Sequence, residues 1–73
     1  VYVVGHTDMV GKLDHNMDLS ARRAQAVVDA LVAKHGVAAA RLAAKGVGPL
    51  CPVGTNANED GRKLNRRVEL VAM

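Results

Sequence analysis

The chain predicts a small α/β fold, a β-α-β-β unit with one main helix on a mixed sheet, and three observations carry the prediction. A β-branched and aromatic run, Val1 to Val4, stops at Gly5 as a buried strand does. Between residues 19 and 36, Ala24, Val27, Val28, Leu31 and Val32 recur at i, i+3, i+4, i+7 and i+8, one stripe of an amphipathic helix. At the far end Val68, Leu70 and Ala72 alternate with Arg67, Glu69 and Val71, the period of a closing strand over residues 66–73.

Each element follows in order. Residues 6–16, His6 to Asn16, are polar, contain Gly11 and show no period, so they read as a loop leaving the carboxyl end of the first strand, a place where function is often carried. Ser20 is the expected N-cap of the helix, with Asp18 as the alternative, and Gly36 stands where a C′ glycine follows Lys34 and His35. Arg41 to Val47 reads as a second strand, weakened by its alanines. Gly48 to Asn58 is a loop, because two prolines and two glycines in that stretch prevent regular pairing. Glu59 to Leu64 is long enough for a short helical turn. A strand, helix, strand order implies a parallel pair joined by a right-handed crossover, with the last strand antiparallel. The helix covers one sheet face. Nothing in the sequence covers the other, so either a further helix and strand belong to the fold or two copies pack together as a homodimer.

Composition narrows the functions. The chain has 73 residues, one domain's worth, and its 49% apolar share is Ala, Val and Leu, with Tyr2 the single aromatic residue and no Phe or Trp. A chain of this size buries only about 60% of the surface that it exposes when unfolded, so a thin aliphatic core is expected. No 18-residue apolar run crosses a membrane, and no secretory apolar segment is present. Because the chain opens at Val1 rather than Met, it reads as a piece of a longer protein. The net charge of +3 raises the question of a polyanion, yet one tyrosine is a poor platform for stacking single-stranded bases. The single Cys51 makes no intramolecular disulfide and lacks the Cys and His company of a catalytic or zinc thiol.

Several side chains suggest chemistry. With Ser20 as the cap, Arg22 and Arg23 stand in the first helical turn, against the helix dipole, where a guanidinium beside free N–H groups makes an anion pocket; the plain alternative is two arginines splayed into water. Asp8 lies three residues past the strand and offers a salt bridge to Arg23, a ligand-cation site or a solvated turn. Asp8 and Arg23 together suit a zwitterion such as the head of an amino acid. His6, Asp8, Asp14 and His15 invite a metal, and with it a metal-dependent hydrolase built on His6, Asp8 and His15, but their spacing fits no metal motif. A Ser20, His6, Asp8 triad lacks a nucleophile elbow. Arg62, Lys63, Arg66 and Arg67 form a basic cluster that a nonspecific nucleic-acid binder would use, although Arg66 and Arg67 point to opposite faces of a strand, so that one of them pairs inside the fold or lines a pocket.

Taken together and in order, Gly5-His6-Thr7-Asp8, Asn16, Leu19-Ser20-x-x-Arg23-Ala24, Gly36-Val37, Arg41, Gly46, Gly48, Pro52, Asn56, Gly61-Arg62 and Asn65-Arg66-Arg67-Val68-Glu69 resemble the OmpA-like peptidoglycan-binding domain of OmpA, Pal and MotB proteins. Domains of that family open with an additional strand and helix, so residues 1–73 correspond to part of one, and the missing elements match the uncovered sheet face. The resemblance implies noncatalytic binding of peptidoglycan in the periplasm, by a parent protein attached to the outer membrane or cell envelope, with no cofactor, no metal and no nucleic acid. It implies that Asp8 and Arg23 contact the amino and carboxylate groups of diaminopimelate in the stem peptide. Asn16 and Arg66 match two further family positions.

Overall fold

The computed structural model describes residues 1–72. The elements run β1 (Tyr2–Gly5), α1 (Leu13–His35), a 3-10 turn (Ala39–Arg41), β2 (Ala43–Gly46), α2 (Glu59–Asn65) and β3 (Val68–Val71). The sheet has the order β2-β1-β3. β1 pairs with β2 in parallel, Val3 opposite Ala44, and with β3 antiparallel, Val3 opposite Leu70. The mixed sheet and both strand directions are as the sequence predicts. Met73, the last residue of the expected third strand, lies outside the described residues.

The core is thin and aliphatic. Val3, Ala24 and Val28 are buried, with Val27, Leu42, Ala44 and Val68 packed around them. Side chains alternate across a strand, so Val3 and Gly5 face α1 while Tyr2 and Val4 face away. The away face carries Tyr2, Val4, Ala43 and Val71, and no second layer covers it among the described residues. On the helix side α1 comes down onto backbone rather than onto side chains. A Cβ at Gly5 would collide with the Ser20 carbonyl, and one at Gly46 with the Ala21 amide.

The principal correction concerns where α1 begins. It starts at Leu13, with Lys12 as an N-cap that makes no side-chain bond, so neither Ser20 nor Asp18 caps it. The buried row of the helix is Asn16, Ser20, Ala24 and Val28, one residue every fourth position. Its first two members are polar, because their side chains bond to loops, and so the hydrophobic period fades before the helix does. The Ser20 hydroxyl donates to the Met17 carbonyl at 2.8 Å and accepts from the Gly48 amide at 2.9 Å. Consequently Arg22 and Arg23 sit in the helix interior, and no free N–H groups of a helix N-terminus lie beside them. The C-terminus is as expected, with Gly36 left-handed at φ 66°.

Two shorter elements also differ from expectation. β2 begins at Ala43 rather than Arg41, because Ala39–Arg41 closes a 3-10 turn in which the Leu42 amide donates to the Ala39 carbonyl. α2 extends to Asn65 and is capped by Asn58, whose side chain accepts from the Gly61 amide at 2.9 Å. Arg66 and Arg67 therefore lie between α2 and β3, not inside the strand.

Candidate functional site

Asp8 is held from several directions. β1 hands the chain to His6, whose amide donates to the Arg67 carbonyl, and to Thr7, whose amide donates to the Gly48 carbonyl at 2.9 Å. The turn that follows closes on Asp8 itself, because Oδ1 accepts from the Val10 amide at 3.0 Å. Asn16, reaching up from α1, donates through Nδ2 to the Val10 carbonyl at 3.0 Å and pins the same turn. The second carboxylate oxygen, Oδ2, accepts from Arg66 Nη1 at 2.7 Å. Burial alone would push the Asp8 carboxyl up, but the Arg66 and Val10 hydrogen bonds, with the charges of Arg66 and Arg62, outweigh it and hold Asp8 below its usual value.

Arg66 is shared. Its Nη2 donates to Glu59, and Arg62 Nε donates to the other Glu59 oxygen at 3.2 Å. Glu59 is lowered chiefly by its bond to Arg66, and Arg66 is raised in return by Glu59 and Asp8. α2 supplies this arrangement: its first residue, Glu59, and the residue just past its end, Arg66, lie on one side of a short helix.

Arg23 faces the same region from α1. Arg23, Arg66, Arg67 and Val68 line an open cleft of about 430 Å³. Asp8 reaches this cleft only through Arg66. The Asp8–Arg23 salt bridge considered from the sequence does not form, because Arg66 occupies the carboxylate, and Arg23 is exposed and in no ion pair among the described residues. Arg22, its neighbour, pairs with Asp18 at 2.9 Å on the solvent side, an i, i+4 contact of little energetic weight. The structure thus brings together Arg23, Arg66 and, behind Arg66, Asp8. Asn16 stands apart as a fastener of the Asp8 loop, and it lines a separate, mostly apolar cavity of about 300 Å³ with Met9, Gly11, Leu13, Pro49 and Leu50.

The other constellations dissolve. His15 lies on α1, and no three His, Cys, Asp or Glu side chains gather for a metal among the described residues. The Ser20 hydroxyl is spent on Met17 and Gly48, which leaves the proposed triad without a nucleophile. His6 is buried, with Nε2 3.6 Å from Glu69. Burial and the Arg67 charge keep its pKa below the usual value, more than Glu69 raises it. Three of the four clustered cations are matched by carboxylates: Arg62 by Glu59, Arg66 by Asp8 and Glu59, and Arg67 by Glu69. Little unpaired charge remains there for a nucleic acid. Cys51 is exposed, and its carbonyl accepts from Arg67 Nη2.

Sequence reasoning missed Glu59 and Asn65. Glu59 is the second carboxylate of the site, and Asn65, fully buried, ties the preceding loop to α2. The run Asn58-Glu59-x-Gly61 is the available signal for the first: an N-cap asparagine places the next residue at a defined point of a helical turn.

The pKa directions predict two limbs of acid sensitivity. His6 is depressed, so the unfolded chain takes up its proton first, and stability falls as pH drops below about 6.5 until the folded histidine also titrates. Asp8, Glu59 and Glu69 are depressed carboxyls. Their contribution is complete above about pH 4, the unfolded values, and is lost as pH falls through the lower folded values. Urea unfolding over a pH series checks this: Asp8→Asn should flatten the acid limb and leave the limb near pH 6 in place.

Comparison with known proteins agrees with this architecture. A family model described as the OmpA family matches residues 1–66. The chain is 52% identical over 67 residues to outer membrane porin F of Pseudomonas aeruginosa, spanning 92% of this chain and 19% of the porin. It is 46% identical over 71 residues to peptidoglycan-binding protein ArfA of Mycobacterium tuberculosis, spanning 97% of this chain and 22% of ArfA. In structure it is similar to the peptidoglycan-associated lipoprotein of Burkholderia pseudomallei, with a TM-score of 0.89 and 36% identity over 96% of this chain and 58% of the lipoprotein. The chain therefore spans about a fifth of the length of these two curated relatives. The match over residues 1–66, with this identity and this shared architecture, places the chain in the OmpA family.

Proposed function

We propose that this domain binds peptidoglycan noncovalently, by gripping the diaminopimelate of a stem peptide, and so anchors a bacterial envelope protein to the cell wall. The observation that carries the reading is a cleft lined by Arg23, in no ion pair among the described residues, and by Arg66, whose guanidinium is bonded to the buried Asp8 carboxylate. Arg23 is free to take the ligand carboxylate in a bidentate bond, and Asp8, reached through Arg66, is the acceptor for the ligand ammonium. Arg66 adds a second cation beside Arg23, while Asn16 keeps the Asp8 turn in place. The names of two relatives, a peptidoglycan-binding protein and a peptidoglycan-associated lipoprotein, support peptidoglycan as the partner.

The role in this reading is binding rather than catalysis, in keeping with those printed names. The reading extends to the cell: a periplasmic domain, a parent protein attached to the outer membrane, and a second copy over the open sheet face. Titration of the protein with meso-diaminopimelate, followed by calorimetry and by amide NMR, tests it. Saturable shifts should concentrate at residues 7–10, 23 and 66. The absence of saturable shifts there at millimolar ligand rejects the proposal.

A further inference from the structure

Arg66 occupies the acceptor that a ligand ammonium would need. Both Asp8 oxygens are engaged, Oδ1 by the Val10 amide and Oδ2 by Arg66 Nη1, and the Asp8 side chain is only 11% exposed. At the same time Arg66 has a second hold, since Nη2 donates to Glu59. Glu59 is itself steadied by Arg62, which donates from Nε to Glu59 at 3.2 Å and from Nη1 to the Asn56 carbonyl at 3.1 Å.

We propose that Glu59 is a positioning residue for ligand entry: it retains Arg66 through Nη2 while the ligand ammonium takes Asp8 Oδ2, and the released Nη1 turns into the cleft beside Arg23. The inference rests on the diaminopimelate reading above and deepens it. Its physical basis is charge pairing throughout the exchange. Before entry, one guanidinium lies between two carboxylates, Asp8 and Glu59. Afterwards Asp8 holds an ammonium, and Arg66 lies between Glu59 and the ligand carboxylate. No partly buried charge loses its partner, which removes the largest cost of opening such a site. Without Glu59, Arg66 would have Asp8 as its only carboxylate partner, and the ligand would compete against the undivided pair.

The exchange also sets specificity. A ligand needs the ammonium and the carboxylate on one carbon, because the first displaces Arg66 and the second receives it. Pimelate, which has the two carboxylates of diaminopimelate and no amine, meets Arg23 but leaves Arg66 on Asp8.

Calorimetry and side-chain NMR on the wild type, Glu59→Gln and Glu59→Asp test the proposal. Glu59 is 61% exposed, so its replacement by glutamine should leave the fold intact. Affinity for meso-diaminopimelate should fall about tenfold in Glu59→Gln, the scale of one charge-assisted hydrogen bond, and return to near wild type in Glu59→Asp. In the wild type, the Arg66 Nε–Hε signal should move with meso-diaminopimelate and stay in place with pimelate. Glu59→Gln binding at wild-type affinity, or an unmoved Arg66 signal in the saturated wild type, overturns the exchange while leaving the ligand assignment standing. A wild type that does not bind meso-diaminopimelate overturns both.

Discussion

Arg23→Ala is expected to lower binding to diaminopimelate-type sacculi about a hundredfold without moving the melting temperature by more than a degree or two. The size follows from losing a charge-assisted, bidentate contact, worth about 1.5–3 kcal/mol, at about 1.4 kcal/mol per tenfold. The silence in stability follows from geometry, for Arg23 is exposed and forms no ion pair among the described residues. Asp8→Ala should abolish binding to the same degree but also destabilise the fold, because it removes the acceptor of the Val10 amide and one of two partners of Arg66. Sacculus pull-down and thermal denaturation of both variants separate the two roles. Equal destabilisation by both replacements would contradict the site geometry, since it would make Arg23 structural.

The largest loss of stability should come from Asn65→Ala. The Asn65 side chain is fully buried. Its Oδ1 accepts from the amides of Val53 and Gly54 at 2.8 and 2.9 Å, and Nδ2 donates to the Gly54 carbonyl and to Asn56 Oδ1, both at 3.0 Å. Alanine leaves two backbone donors and two acceptors of the partly buried loop without these partners, at a cost of about 3 kcal/mol. For a domain of this size that corresponds to a fall in melting temperature of roughly 12–24 °C. Few contacts elsewhere offset it, because the fully buried apolar core amounts to little more than Val3 and Ala24. Calorimetric scanning gives the answer directly, and a shift below a few degrees would show that the 53–56 loop repairs itself. Since the same loop precedes Glu59, ligand affinity should weaken along with stability.

Much of this architecture is legible in the residues, and the failures have physical causes. β1 follows from a β-branched run bounded by glycine, the strand directions follow from the strand, helix, strand order, and the helix stripe from Ala24 to Val32 is plain. The eight residues by which the helix start is misplaced, 13–20, contain Asn16 and Ser20, whose positions along the buried row are disguised by polarity. Both polar side chains bond loop backbone, a tertiary role that periodicity does not register. The sequence sets Asp8 against Arg23 as opposite charges, but the Asp8 partner in the fold is Arg66, 58 residues away. That contact depends on the antiparallel register of β3 against β1, with Val68 opposite Gly5, and register is a property of the assembled sheet. The sharing of Arg66 with Glu59 depends in turn on α2 ending where it does.

The contact of α1 with Gly5 and Gly46 bears on how the domain tolerates change. At those two points the main chain of α1 rests closely on the main chain of the sheet, and this contact helps to set the gap between the Asp8 turn and Arg23. A size change among the aliphatic residues elsewhere in the interior is therefore expected to disturb the spacing of the two charges less than a methyl group added at Gly5 or Gly46.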